Sequence, residues 1–207
     1  FISGSELVRY TAKSSNPEYI RYRPEAQPLF SEIHAWMTET FKTSAAMSFV
    51  LTGTEKDETG NMHYRYRQTY KGIPIHEAVF IVHVYDGKIQ SFNGTVFSNM
   101  ELSDAFSLSP ETALENAMAF VNAQEYKWQR AHEESWLKKI SGNPDATFFP
   151  EAKKEITFCA QDSLFHACYK FDIYACKPLS RQNVFVDATS GKIIKSLETL
   201  HKTDVTG

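Results

Sequence analysis

The Asp86-Gly87 pair, set between Ile75–Tyr85 and Lys88–Val96, constrains the fold of this chain more than any other feature. Both flanking runs are rich in β-branched and aromatic residues. Asp-Gly accepts the two positive φ angles of a tight hairpin turn at little cost, so the runs read as paired strands. Met62–Tyr70, just before them, alternates. Tyr64, Tyr66, Gln68 and Tyr70 share one face, and Arg65, Arg67 and Thr69 share the other. Lys71-Gly72-Ile73-Pro74 reads as the connecting turn. Pro74 has no N–H, so the ladder is interrupted there or lies at an edge. Upstream, Leu29, Phe30, Ile33, Trp36, Met37 and Phe41 recur at helical spacing. Met47–Leu51 is a short apolar strand and Glu55–Asn61 a turn. Residues 1–27 carry Pro17, Pro24, Tyr10, Tyr19 and Tyr22 and read as an extended arm packed through its tyrosines.

The second half repeats this plan. Asn99–Ser107 is polar and reads as a linker. Ser109 is a good helix N-cap, with Pro110 in the first turn and Glu111 beside the positive end of the helix dipole. Leu114, Ala117, Met118, Val121 and Trp128 form the buried stripe of a helical region that breaks near Ala131 and ends at Gly142-Asn143-Pro144. Strands follow at Glu155–Gln161, Leu164–Cys176, Asn183–Ala188 and Lys192–Leu200. Their connections are Asp162-Ser163, Lys177–Gln182 and Thr189-Ser190-Gly191. The fold class is α+β: two similar subdomains, each a helix packed on an antiparallel β-meander.

Composition and missing motifs narrow the function. With 22 basic and 25 acidic residues the net charge is −3, and no basic excess favours a nucleic-acid partner. No apolar run approaches the roughly 18–20 residues of a membrane span. His76-Glu77 and His132-Glu133 each lack the second histidine of H-E-x-x-H, and no nucleophile elbow, P-loop or dinucleotide fingerprint occurs. His63, His76 and His83 fall within 21 residues and could converge as ligands, although histidines on half-exposed strands are commoner than metal sites. Cys159, Cys168 and Cys176 match no common zinc spacing and read as buried or half-buried free thiols. His166 is the one histidine close to a cysteine in sequence, two residues from Cys168. His166 and Asp172 on one strand are a weak signal for a small-ligand pocket. The chain therefore reads as non-catalytic, with no metal and no cofactor of its own.

His63-Tyr64-Arg65-Tyr66-Arg67-Gln68-Thr69-Tyr70-Lys71-Gly72-Ile73-Pro74-Ile75 resembles the core motif of the fungalysin/thermolysin propeptide (FTP) domain. The resemblance continues through Asp86-Gly87-Lys88 to Asn93-Gly94. Ser109 through Val186-Asp187-Ala188-Thr189-Ser190-Gly191-Lys192 is similar to a PepSY domain. His76-Glu77-Ala78 departs from the aromatic and glycine common in the family, and the stretch Trp128–Pro150 is longer than usual. The resemblance implies cystatin-like or PepSY-like subdomains with an arm and helix at 1–45, the FTP subdomain at 46–98, a linker at 99–107, the PepSY subdomain at 108–200 and a C-terminal arm at 201–207.

In thermolysin-like precursors this tandem lies directly before the zinc-protease domain. The resemblance thus implies a prodomain that helps the protease domain fold, inhibits it and is removed by autoproteolysis. The cognate metalloprotease domain is then the partner, in cis before cleavage and in trans after it. Zinc and calcium are expected only in that protease domain. The sequence opens at Phe1 without a leader-like segment, as expected of a secreted or periplasmic protein whose targeting peptide has been removed. His201, Lys202, Thr203 and Asp204 are the expected protease-contacting or processing region. Arg65, Gln68, Tyr70, Gly72, Pro74 and Asp187 are motif residues with structural or interface roles. Arg65 either touches the protease or pairs with an internal acid, and Asp187 accepts backbone hydrogen bonds in a turn. The alternative is a stand-alone PepSY-type binding module of the cell envelope that acts on another protease.

Overall fold

The computed structural model describes residues 2–10, 15–98, 100, 102 and 106–200. The class is α+β, with antiparallel pairing throughout the described strands and short helices. The chain divides into two compact units, Phe1–Glu101 and Leu102–Gly207.

In the first unit, β1 (Ser5–Tyr10), β2 (Pro17–Tyr22), α1 (Ile33–Phe41), β3 (Met47–Lys56), β4 (Met62–Tyr70), β5 (Ile73–Tyr85) and β6 (Lys88–Gly94) follow in order. Pairing runs β1-β2-β6-β5-β4-β3. The expected N-terminal arm is instead a hairpin. It joins β6 through Tyr19↔Asn93 and Ile20↔Phe92, because Ile20 and Tyr22 alternate inward and are buried while Arg21 points out. Of the three tyrosines only Tyr22 is buried, and its hydroxyl accepts from Trp36 Nε1 at 2.7 Å.

The helix starts later than its apolar spacing suggests, after a 3-10 turn at Phe30–Glu32, and Lys42 closes it in the left-handed region. Ile33, Trp36, Met37 and Phe41 are its buried face. They meet Tyr66, Phe80, Val82, Val84 and Phe92 from one side of the sheet. Ring centroids stand 5.5 Å apart for Trp36–Phe41, 5.0 Å for Phe41–Phe92 and 5.3 Å for Phe80–Phe92. Such pairs add about 0.5–1.5 kcal/mol each beyond the area they bury.

The second unit contains α2 (Pro110–Val121), β7 (Glu125–Tyr126), α3 (Ala131–Ser141), β8 (Lys153–Cys159), β9 (Leu164–Lys177), β10 (Leu179–Asp187) and β11 (Ile193–Glu198). The strands pair β8-β9-β10-β11, and β7 adds to the end of β9. Ser109 caps α2 by accepting the Thr112 N–H at 3.1 Å. Ala113 and Ala117, fully buried, let the helix lie close on Tyr169, Phe171, Val184 and Val186.

Trp128 does not continue the α2 stripe. Asn122 takes a left-handed conformation and ends the helix, so the break opens there and runs up to Ala131, where α3 starts. Trp128 then sits in a 3-10 turn and stacks on Tyr126 at 4.5 Å. Glu125 fastens this corner by accepting from Arg130 at 2.7 Å and Lys177 at 3.1 Å, and those bonds hold its carboxyl down at about 2. Strand β10 begins where a turn at Lys177–Gln182 was expected. Ser180, Arg181 and Gln182 are polar because this end of the strand is half-exposed, while Arg181 pairs with Asp172 across to β9. Of the expected linker, residues 99, 101 and 103–105 lie outside the described residues, and Phe106 packs on Tyr169 at 5.2 Å. All three cysteines are free thiols.

Two glycines of the first unit are held for different reasons. Gly72 (φ 80) follows Lys71 (φ 48) in the β4–β5 turn, and a Cβ there would meet nothing within 4 Å. At Gly94 (φ 140) a Cβ would fall 2.4 Å from both Phe80 Cα and Val79 O. Gly72→Ala is therefore expected to cost about 1–2 kcal/mol from backbone conformation alone. Gly94→Ala, which also forces β5 and β6 apart, is expected to cost more than about 3 kcal/mol. Urea unfolding of the two variants checks the order; equal losses would contradict it.

Candidate functional site

Alternation along β4 assigns its residues to two faces with different work. Tyr66, Gln68 and Tyr70 face the helix side and are buried; Arg65 is exposed on the other. Gln68 is fully buried and places both halves of its amide on one backbone unit. Nε2 donates to Phe97 O at 2.7 Å, and Oε1 accepts from Phe97 N–H at 2.9 Å. It does so at a register break: Arg67 pairs with Val79, but Thr69 pairs with Pro74, so Ile75–Ala78 bulges between them. Pro74 therefore pairs at the start of β5 and ahead of the interruption. Tyr70 lies opposite Met47 and Ile73 at the end of both ladders, and Lys71-Gly72 makes the turn.

The face opposite α1 carries Val50, Arg65, Ile81, His63 and His83. Among the described residues no acidic side chain pairs with the Arg65 guanidinium, which borders a shallow groove of about 380 Å³ with Gly53, Glu55 and Ile81. At one end of this groove His63 and His83 meet Nδ1 to Nδ1 at 2.6 Å. His63 Nε2 lies 3.1 Å from Asp57 Oδ2, and His83 Nε2 contacts Asn93 Oδ1. The Thr59 hydroxyl and Asn61 amide hold the Asp57 carboxyl well below the usual carboxylate range. His76 lies in the bulged stretch of β5, so two of the three sequence-selected histidines converge.

Asp187 ends β10 and is buried. Its Oδ1 accepts the N–H groups of Thr189 at 3.1 Å and Ser190 at 2.6 Å, and Oδ2 lies 2.8 Å from His166 Nδ1. Asp172 and His166 do not converge on a pocket: Asp172 is held by Arg181 at 2.9 and 2.7 Å. His166 lies between Asp187 and Asp162, with Nε2 2.9 Å from Asp162 Oδ2. Burial opposes a charge on His166, but these two carboxylates raise its pKa above the usual value. The same cluster includes Cys159 rather than Cys168, a juxtaposition that sequence proximity did not suggest. His201, Lys202, Thr203 and Asp204 lie outside the described residues.

Residues 48–96 match the protein-family model described as Fungalysin/Thermolysin Propeptide Motif. The chain carries a thermolysin-family propeptide motif. Those residues span β3 to just past β6, including Gln68, both tight turns and Gly94. Thermolysin of Alicyclobacillus acidocaldarius subsp. acidocaldarius is 39% identical over 64 residues, covering 31% of this chain and 11% of the relative. Bacillolysin of Brevibacillus brevis is 26% identical over 163 residues, covering 76% of this chain and 28% of the relative. Neutral protease B of Bacillus subtilis (strain 168) is 25% identical over 219 residues, covering 99% of this chain and 38% of the relative. The chain thus spans between about a tenth and two fifths of the length of these relatives. Among solved structures, the Bacillus megaterium YpeB C-terminal domain aligns over 89% of this chain and 73% of its own at 10% identity, with a TM-score of 0.35, too loose a likeness to carry an argument.

Within the motif, Gln68 is a structural residue. Gln68→Met keeps the volume and removes both bonds to Phe97, so it is expected to lower the unfolding free energy by about 2–4 kcal/mol. Urea midpoints test this; a loss below about 0.5 kcal/mol would mean the amide does not secure the bulge.

Proposed function

We propose that this chain is the prodomain of a thermolysin-like metalloprotease, acting as intramolecular chaperone and inhibitor of the protease domain and removed by autoproteolysis. The observation that carries the reading is the propeptide motif at residues 48–96. In this reading the two units are the FTP and PepSY-like subdomains, and the precursor is secreted or periplasmic. No helix among the described residues is long and apolar enough to cross a membrane. Zinc and calcium belong to the protease domain in this account.

The mechanism follows from tethering and surface. In cis the protease domain sees the prodomain at high effective concentration, so modest contacts suffice. After cleavage the contact rests on its anchors alone, and the freed prodomain becomes a substrate. The open sheet face around Arg65 supports a contact role, since an exposed arginine beside a groove is a common interface anchor. A preformed face of this kind can stabilise a folding nucleus that the protease domain forms slowly alone. The segment His201-Lys202-Thr203-Asp204 is assigned to the processing region, a placement that C-terminal sequencing of naturally released propeptide would overturn by finding an end well before Leu197.

Added in trans to the unfolded protease domain of the same gene, the chain is expected to raise refolding yield. Arg65→Ala is expected to keep its own stability within about 0.5 kcal/mol. It should also raise the concentration needed for half-maximal rescue by roughly ten-fold. Equal yields with and without the chain at several ratios would remove the chaperone role, and an unaltered Arg65→Ala would remove this face from it.

A further inference from the structure

The β8–β9 hairpin gathers a thiol, an imidazole and a carboxylate that the prodomain reading does not use. Cys159 is the last residue of β8, Asp162 lies in the turn, and His166 is the third residue of β9, opposite Thr157. The hairpin register alone brings 159, 162 and 166 to one end. One ligand atom from each lies within 4.8 Å of the other two. The geometry points to a zinc-class site on this hairpin, with Cys159 Sγ, Asp162 Oδ2 and His166 Nε2 as ligands for a divalent transition-metal ion.

Three observations carry this. First, His166 is oriented as metal-bound imidazoles are: Nδ1 faces the buried Asp187 carboxylate at 2.8 Å, which leaves Nε2 for the ion. Asp187 is itself fixed by the Thr189 and Ser190 N–H groups, so the ring has a rigid support. Second, Asp162 is aimed by a separate bond. Its Oδ1 accepts the Leu164 N–H at 3.0 Å, which turns Oδ2 toward His166 Nε2 at 2.9 Å. The edge of a tetrahedron built on zinc–nitrogen and zinc–oxygen bonds of about 2.0–2.2 Å is roughly 3.4 Å, so this hydrogen-bonded pair opens by about half an ångström to admit the ion. Third, the Cys159 thiol is buried and donates to Gln161 Oε1 at 3.0 Å, so its sulfur stays inside the turn. Closure of roughly an ångström brings the sulfur to bonding distance.

The exchange balances. One divalent ion takes the place of the thiol proton and the imidazole Nε2 proton, leaves the net charge of the cluster unchanged and releases two protons to solvent. Water entering from the half-exposed Asp162 side completes four ligands. A thiolate with an imidazole and one carboxylate favours zinc or cobalt over magnesium or calcium. The same groups do not suit a cysteine nucleophile, because Asp162 occupies the Nε2 direction through which the imidazole would take the thiol proton. This site departs from the sequence expectation of no metal in the chain, and it stands on the second unit's geometry whether or not the prodomain reading holds.

The test is cobalt(II) titration of the reduced, chelator-treated full chain. One equivalent should produce a thiolate-to-cobalt charge-transfer band with four-coordinate visible absorption, and zinc should abolish both. Asp187→Asn should keep the band and weaken the apparent affinity roughly 10–100-fold. Cys159→Ser and His166→Gln should remove it. Should those variants fail to fold, zinc protection of Cys159 from alkylation in the native chain, read by mass spectrometry, carries the same information. No thiolate band up to millimolar cobalt in the folded chain, or unprotected Cys159, overturns the site. A band surviving Cys159→Ser overturns it as well, as does six-coordinate binding without sulfur.

Discussion

A single nine-residue helix, α1, covers the aromatic side of the first sheet, and most of that unit's organisation follows from this burial. Phe80 and Phe92 leave water only because Trp36 and Phe41 cap them. The same contact fixes the register of β5 and β6, since a slip of one residue would turn the rings to the opposite face. Gly94 lets β6 cross Phe80 at a distance that no side chain tolerates. With one helix serving one face, the other is left open to solvent and mixes the apolar Val50 and Ile81 with Arg65, His63 and His83.

Two buried polar groups secure what apolar packing cannot specify. Gln68 replaces a missing stretch of β-ladder at the Ile75–Ala78 bulge by bonding both polar atoms of Phe97. Asp187 does similar work at the β10–β11 turn by gathering two N–H groups and orienting His166. Both residues stand inside the motifs that carried the family resemblance. They hold turns and bulges in place, while the neighbouring Arg65 on the open face carries the interface role proposed for the motif. Asp187 additionally supports the ring on which the hairpin metal site depends.

Much of the fold was legible in the residues. Asp86-Gly87, the alternation of Met62–Tyr70, the Ser109-Pro110 cap and the apolar spacing of Leu29–Phe41 all predict elements that form, the last of them only from Ile33 onward. The errors have physical causes. The hairpin of β1 and β2 looks like an arm in sequence because prolines and charges outweigh a strand signal that Ile20 and Tyr22 supply only once they pair with β6. The spacing of Trp128 fits a helix, but the left-handed tolerance of Asn122 ends α2 first. The Cys159 cluster is hidden from sequence proximity, which pairs His166 with Cys168. A hairpin brings residues 159, 162 and 166 together through cross-strand register, and the expected turn at Asp162-Ser163 already contained that information.

The central claim is that this chain recognises and restrains a thermolysin-like protease domain. The most direct measurement titrates the purified chain into the active protease of the same gene and follows peptide hydrolysis over time. The account predicts saturable inhibition that fades as the chain is digested. Undiminished hydrolysis at high micromolar concentrations of folded, intact chain would contradict it and favour a binding module with another target.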